Sequence, residues 1–489
     1  MKKKKHLQFL ILLFTIIYIP TGYALAQKSN YVVAVRQSLQ NEDDWMHVAE
    51  VLIQNHKSST LIFYDKTLTE LLPNLRRLRP RHLCVIDKPE NINRDFVIEG
   101  NRLCRIIDDD IYDDYLWGIV TGYTAKDALR VAQQSMQPLI IKSALSSTAE
   151  VKSGIWFDKI AWLDDGIKGQ WGEKITPYDN TTIHHVDKLF KLLPIFKTKW
   201  EEIDPDLVLT SSHATQKNLE MPFSSGNIKS KNGKLYADFI MPQFMPSTKK
   251  PRVYFPVGNC LIGDMNNTRE SMAAAWISSG GATAMLAYVV PTWYGRNGWG
   301  ALKFWISSPG KFTLAQASFL NRQDMLTQEK RKNPLFLTVS SDFKTYGDNA
   351  KTGIEEKLQQ LMPDSFNKDD VGFIYDRDVV VYYGDPAWDV KLKNIPEYDG
   401  YEINFEKKSK QYIITLQTKN NFSIDKTSGK GFKEEHVGAI PIAFFFPNRI
   451  MQPKLLSNEA NLDIVFDENF LLIYEKYLEP NKTYKIILE

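Results

Sequence analysis

Cysteine is scarce: three residues in a chain of 489. That rules out a disulfide-built scaffold, which needs several bridges to replace a core. An excess of charge of one sign is also missing. Lys and Arg total 61 against 58 Asp and Glu, a formal net charge of +3. No nucleic-acid partner and no anionic membrane surface is expected from that balance. Internal repeats and low-complexity tracts are absent, and after the first residues no stretch is apolar enough to span a bilayer. What is present is ordinary for a folded soluble protein: 43% apolar and 24% charged residues, in a chain long enough for two or three domains.

The N-terminus reads as a targeting segment. Lys2 to Lys5 form a basic start, and Leu7 to Ile19 is an apolar run broken by Gln8 and Thr15. Pro20 and Gly22 end the run, and Ala24-Leu25-Ala26 offers a small-x-small cleavage site. The run is short for a spanning helix. A signal peptide over residues 1–26 is therefore expected, with an uncleaved anchor as the alternative. It implies a secreted, periplasmic or cell-surface protein with no stable membrane insertion after cleavage.

Three regions follow. In 27–138, apolar strands such as Tyr31–Val35, Leu61–Tyr64 and Leu83–Ile86 alternate with helical spacing at Trp45, Val48, Ala49 and Leu52. This alternation predicts a parallel sheet covered by helices. In 139–388 the strands are continuous apolar runs, Leu207–Leu209, Val253–Phe255 and Ala284–Val289, as expected of strands buried on both faces. Asn267, three residues before Glu270, suggests the cap of a helix through Met272 and Trp276 that Gly280-Gly281 closes. In 389–489, short β-rich segments such as Tyr401–Phe405, Gln411–Leu416, Ile440–Phe446 and Tyr484–Leu488 predict a β-sandwich.

Two of these strands run into reactive residues. Leu207–Leu209 leads to Ser212-His213-Ala214, and Val253–Phe255 leads to Gly258-Asn259-Cys260. In an open parallel sheet, sites form at the carboxyl ends of strands, so adjacent strands would bring His213 and Cys260 together. A thiolate attacks a carbonyl, and an imidazole protonates the leaving amine. The backbone N–H groups of Cys260 and Ala214 are candidate oxyanion donors. Each residue alone has a plainer reading, a core thiol or a hydrogen-bonded structural imidazole. Cys84 reads as core, and Cys104 as a possible partner for it.

The segments Gly258-Asn259-Cys260-Leu261-Ile262-Gly263-Asp264, Glu270–Trp276 and Gly281–Ala284 resemble the nucleophile region of the gingipain family, clan CD cysteine peptidases with a caspase-like fold. Asp108–Tyr123 resembles the family's acidic stretch and the strand after it, and Tyr383–Trp388 the motif that closes its catalytic domain. The resemblance runs in order from about Tyr31 to the C-terminus. It implies an α/β unit of two subdomains followed by an immunoglobulin-like β-sandwich, peptide or protein substrates, and hydrolysis through a Cys260–His213 dyad and an acyl-enzyme. It also implies that residues after the 284–289 strand, Trp293 and Tyr294, line the pocket for the substrate side chain, although loop packing explains them equally. Ser212 and Ala214 stand where the family places glycines, and Gly122-Tyr123 replaces a Gly-Arg pair. An inactive homologue that binds peptides, and a transpeptidase, are the alternatives.

The dyad requires no cofactor. The acidic run suggests a structural calcium held by Asp109, Asp110 and Asp113, since hard cations take several oxygens; a solvated acidic loop is the alternative. His184-His185 has no further ligand spacing for zinc and reads as structural. Asn180-Thr181-Thr182 fits a glycosylation sequon.

Overall fold

The computed structural model describes residues 30–151, 157–248, 250–343, 348–363, 365–396, 398–430, 432 and 437–489. The expected signal peptide lies outside the described residues. No described helix is long and apolar enough to cross a membrane.

Apolar runs from the first two regions assemble into one twelve-stranded sheet. Its order is Ser59–Tyr64, Tyr31–Arg36, His82–Ile86, Leu116–Val120, Val380–Tyr383, Ala282–Tyr288, Arg252–Pro256, Leu207–Thr210, Ser143–Ser146, Lys159–Leu163, Gln170–Lys174 and Thr182–His185. The strands from Ser59–Tyr64 to Val380–Tyr383 are mutually parallel, and so are those from Ala282–Tyr288 to Lys159–Leu163. The two blocks meet where Val380–Tyr383 pairs antiparallel with Ala282–Tyr288. Thus a strand from late in the second region completes the sheet of the first. The central strands are buried along their whole length, which is why they lack polar alternation.

Beyond Trp388, Val390–Leu392 pairs in parallel with Leu139–Ile141 and so belongs to the α/β body. From Tyr401 on, two antiparallel sheets form, one of four strands and one of three. Tyr401, Ile414, Leu416, Ile442, Phe446, Leu471, Ile473, Ile486 and Leu488 bury between them as a second core. Ion pairs tie these sheets to the α/β body. Arg79 lies 2.9 Å from Glu468, whose other oxygen accepts from Arg449 Nε at 2.6 Å.

One helix start is corrected. The helix is Met272–Ser278 with Ser271 as its cap, the Ser271 hydroxyl accepting from Ala274 N at 3.2 Å. Asn267 sits at φ +56°, a left-handed conformation that Asn tolerates, in place of the extended one usual for a helix N-cap. Glu270 turns instead to the Tyr123 hydroxyl, at 2.7 Å, and the Asn232 N–H, at 2.8 Å. This short helix therefore begins twelve residues after Cys260 in the chain.

Candidate functional site

Leu207–Thr210 and Arg252–Pro256 are parallel neighbours, in register from Leu207 opposite Val253 to Thr210 opposite Pro256. The pairing continues one step into the loops, where Val257 N donates to Thr210 O at 2.9 Å. His213 and Cys260 thus leave the same end of the sheet from adjacent strands. Gly258 permits the close approach, since a Cβ there would stand 2.9 Å from Ser211 Oγ and 3.3 Å from the Trp299 indole nitrogen.

Asn259 fastens the two loops together. It is fully buried. Its Oδ1 accepts from Thr210 Oγ1 at 2.6 Å, and its Nδ2 donates to Ser212 O at 2.6 Å. Thr210 Oγ1 also meets the Tyr254 hydroxyl at 3.0 Å. Below, Tyr254 stacks on Trp276 with centroids 3.5 Å apart, and Trp276 stacks on Trp200. A buried asparagine has no periodic signature in sequence, so the role of Asn259 is visible only in the fold. Its position directly before the candidate nucleophile was the available clue.

The Cys260 thiol is half-buried and faces the chain that follows strand Ala282–Tyr288. Thr292 N lies 3.2 Å from its Sγ. Leu261, next in sequence, is held at φ +59°, its N–H donating to Val290 O at 3.1 Å. A non-glycine residue in that conformation is costly and persists only where surrounding contacts over-determine it. Here Gly263 N to Tyr288 O, at 2.8 Å, provides a second anchor.

The His213 segment is a tight excursion. Glu220 N donates to His213 O at 3.0 Å, Thr215 N to Asn218 O at 2.8 Å, and the Ser212 hydroxyl to Glu220 O. The imidazole is exposed, and no hydrogen bond joins it to Cys260. Among the described residues neither the Cys260 nor the Ala214 N–H donates to a protein group. Trp293 and Tyr294 follow Thr292 directly and are half-buried. Trp293 meets Tyr375 edge-on at 5.7 Å with Lys351 Nζ over its face at 4.6 Å, while Tyr294 covers Gly372 and packs near Phe373.

Near this segment, Asp376 accepts from Tyr288 OH at 3.0 Å and from Asn297 N at the start of helix Arg296–Ile306. Burial pushes its carboxyl up to about 7. In the Tyr383–Trp388 motif, Asp385 is buried and accepts from His56 Nε2 at 2.8 Å, Tyr31 OH at 2.9 Å and Ser135 Oγ at 3.1 Å. Burial alone would raise this carboxyl. The hydrogen bond and charge of His56, with the Ala387 N–H and Tyr31 OH, override it and hold it below its ordinary value.

The acidic run is divided among different partners. Asp113 is buried, and its Oδ2 accepts from Arg322 Nε at 2.7 Å and Gln323 Nε2 at 2.9 Å. Asp109 is exposed, and Asp110 faces Asp467. Asp109, Asp110 and Asp113 are not among the acidic side chains that gather within the described residues. Asp108, Asp114 and Glu468 do gather, but Arg79 lies 2.8 Å from Asp108 and 2.9 Å from Glu468, and Arg449 also pairs with Glu468. Burial, then the nearby Asp108 charge, push Asp114 up to about 9. His184 stacks on Trp171 and meets Glu173 at 3.1 Å, whereas His185 bonds the Lys168 carbonyl. Cys84 and Cys104 are separate buried free thiols.

No family model and no curated protein matches the sequence. Two solved structures are similar to the chain. A complex of the pro- and mature domains of Porphyromonas gingivalis RgpB shares 10% identity over 94% of this chain and 99% of that one, at a TM-score of 0.43. A protease structure shares 9% identity over 81% of this chain and 86% of that one, at a TM-score of 0.38.

Proposed function

We propose that the protein is an exported cysteine peptidase in which Cys260 attacks the peptide carbonyl and His213 serves as acid and base. The observation that carries this reading is the exit of both residues from the same end of adjacent parallel strands, stapled by Asn259. The thiolate forms a thioester with the acyl part of the substrate, and His213 gives its proton to the departing amine. Water, deprotonated by the same imidazole, then releases the acid and the free thiol. The unengaged N–H groups of Cys260 and Ala214 are the donors that would meet the oxyanion. Trp293 and Tyr294, which follow Thr292 in the chain, are assigned to the substrate side chain, and the C-terminal sheets to an immunoglobulin-like domain. No cofactor takes part in this reaction.

Labelling of the mature protein with a panel of peptidyl electrophiles tests it. Modification is expected at Cys260 ahead of Cys84 and Cys104, and Cys260→Ser is expected to lower turnover by orders of magnitude with an unchanged fold. Equal turnover in Cys260→Ser would end this assignment. A second reading, a homologue that binds peptides without cleaving them, is favoured by one observation: no hydrogen bond joins His213 to Cys260. Tight peptide binding with neither labelling nor cleavage would establish it.

A further inference from the structure

A cleft of about 500 Å³ separates the α/β body from the C-terminal sheets, away from Cys260. Arg81, Lys311 and Lys391 line it against one carboxylate, Glu402, with aromatic walls from Phe312, Phe444 and Phe445. Lys311 pairs with Asp399 at 2.7 Å, Lys391 with Asp389 at 2.9 Å, and Glu402 with Lys419 at 2.6 Å. Arg81 is different. It is only 7% exposed, and its hydrogen bonds go to two carbonyls, Phe446 O and Pro447 O. It lies over the Phe445 ring at 4.5 Å, and the charge acting on it is that of Arg449, which repels it. Burial, with Arg449, pulls its basicity down to about 10. Among the described residues no carboxylate pairs with it. A buried guanidinium is ordinarily compensated by an anion, and five N–H donors leave Arg81 capacity for one.

Two free sheet edges border the same cleft. Tyr401–Lys408 ends the four-stranded sheet, and Ile442–Phe445 ends the three-stranded one. Their registers fix which main-chain groups face outward. Lys419 N donates to Gly400 O, whereas Thr418 N turns away to Lys482 O. Pairs alternate along an antiparallel ladder, so Tyr401 and Ile403 present their N–H and C=O to the open edge. Tyr401 O is met there by Lys311 Nζ at 3.4 Å. On the other edge, Phe446 N bonds Asn469 O, which leaves Ala443 and Phe445 facing outward. The outward groups of Ile403, Ala443 and Phe445 have no partner among the described residues.

We propose that this cleft docks an extended peptide carrying a carboxylate, which adds as a strand along the Ile403 edge and sets its carboxylate against Arg81. Main-chain bonding supplies affinity, alternate side chains enter the aromatic wall, and the Arg81 charge selects the acid. The site is independent of the proposed reaction at Cys260.

Fluorescence anisotropy on the full chain carrying Cys260→Ala tests this, so that no cleavage intervenes. The probes are two fluorescein-labelled, C-terminally amidated hexapeptides of alternating Val and Thr, one with a central Glu and its twin with Gln. The Glu peptide is expected to bind at least about tenfold more tightly than the Gln peptide, as for a charge-assisted hydrogen bond. Arg81→Met should erase that difference. Ile403→Pro should weaken both peptides, because it deletes an outward N–H while sparing the inward ladder; thermal unfolding reports whether each variant is folded. The Glu/Gln comparison on the unaltered cleft needs no variant. Equal binding of the two peptides there, no binding of either, or binding indifferent to a folded Ile403→Pro would overturn the proposal.

Discussion

Asn259 is the residue whose removal should reveal how the two strand ends are held. Asn259→Ala deletes two hydrogen bonds of 2.6 Å, from Thr210 Oγ1 and to Ser212 O. Each buried bond contributes about 1 kcal/mol net. Thr210 retains the Tyr254 hydroxyl, so its loss is cushioned, but among the described residues the Ser212 carbonyl has no substitute donor. The expected local cost is roughly 2 kcal/mol, which corresponds to about 30-fold faster opening. Hydrogen exchange read over peptides covering 211–214 and 258–263 should show this, while the distant His82–Ile86 strand stays protected. If the proposed chemistry holds, the same variant should lose kcat more than KM, because a loosened loop misplaces reacting groups without removing a substrate contact. Exchange changed by less than about threefold at both loops would show that the staple contributes little, and the reasoning from these distances would fail.

Asp376 has a folded value of about 7, raised by burial. A raised carboxyl contributes stability below its unfolded value of about 4 that is lost as pH rises through the folded value, so the melting temperature should fall between pH 4 and 8 and flatten in Asp376→Asn. Asp385 runs the other way: its depressed carboxyl contributes stability above the unfolded value, lost as pH falls through the folded one. Asp385→Asn should therefore destabilise at pH 7 and reduce the acid-side slope of urea midpoints. The buried pair Arg296–Asp324, at 2.6 Å, predicts that Arg296→Met costs about 3 kcal/mol, since it leaves a buried carboxylate without its cation, held by Gln328 and the Tyr474 hydroxyl; a urea shift below about 1 kcal/mol would contradict this.

The strands carrying His213 and Cys260 were legible from sequence because full burial writes a continuous apolar run, and a run such as Val253–Phe255 ending at Pro256 marks its own limit. The β-rich character of the C-terminal region was legible for a related reason, its short segments being separated by turn residues. The helix start was misread because Asn267 and Glu270 have capping chemistry at capping spacing, and only tertiary contacts assigned Glu270 to Tyr123 and Asn232. The partners of the acidic run are likewise a matter of tertiary contacts. Sequence proximity suggested shared ligands, whereas folding sent Asp113 to Arg322 and Asp108 to Arg79. Which segments bury and which residues could react can be read along the chain, because hydrophobic periodicity and residue chemistry are local properties. Only the folded chain decides that Val380–Tyr383 joins the two strand blocks, that Asn259 bridges the loops, and that Arg81 lines a cleft without a carboxylate paired to it among the described residues. Those outcomes depend on contacts between residues distant in the chain, whose energies no local pattern encodes.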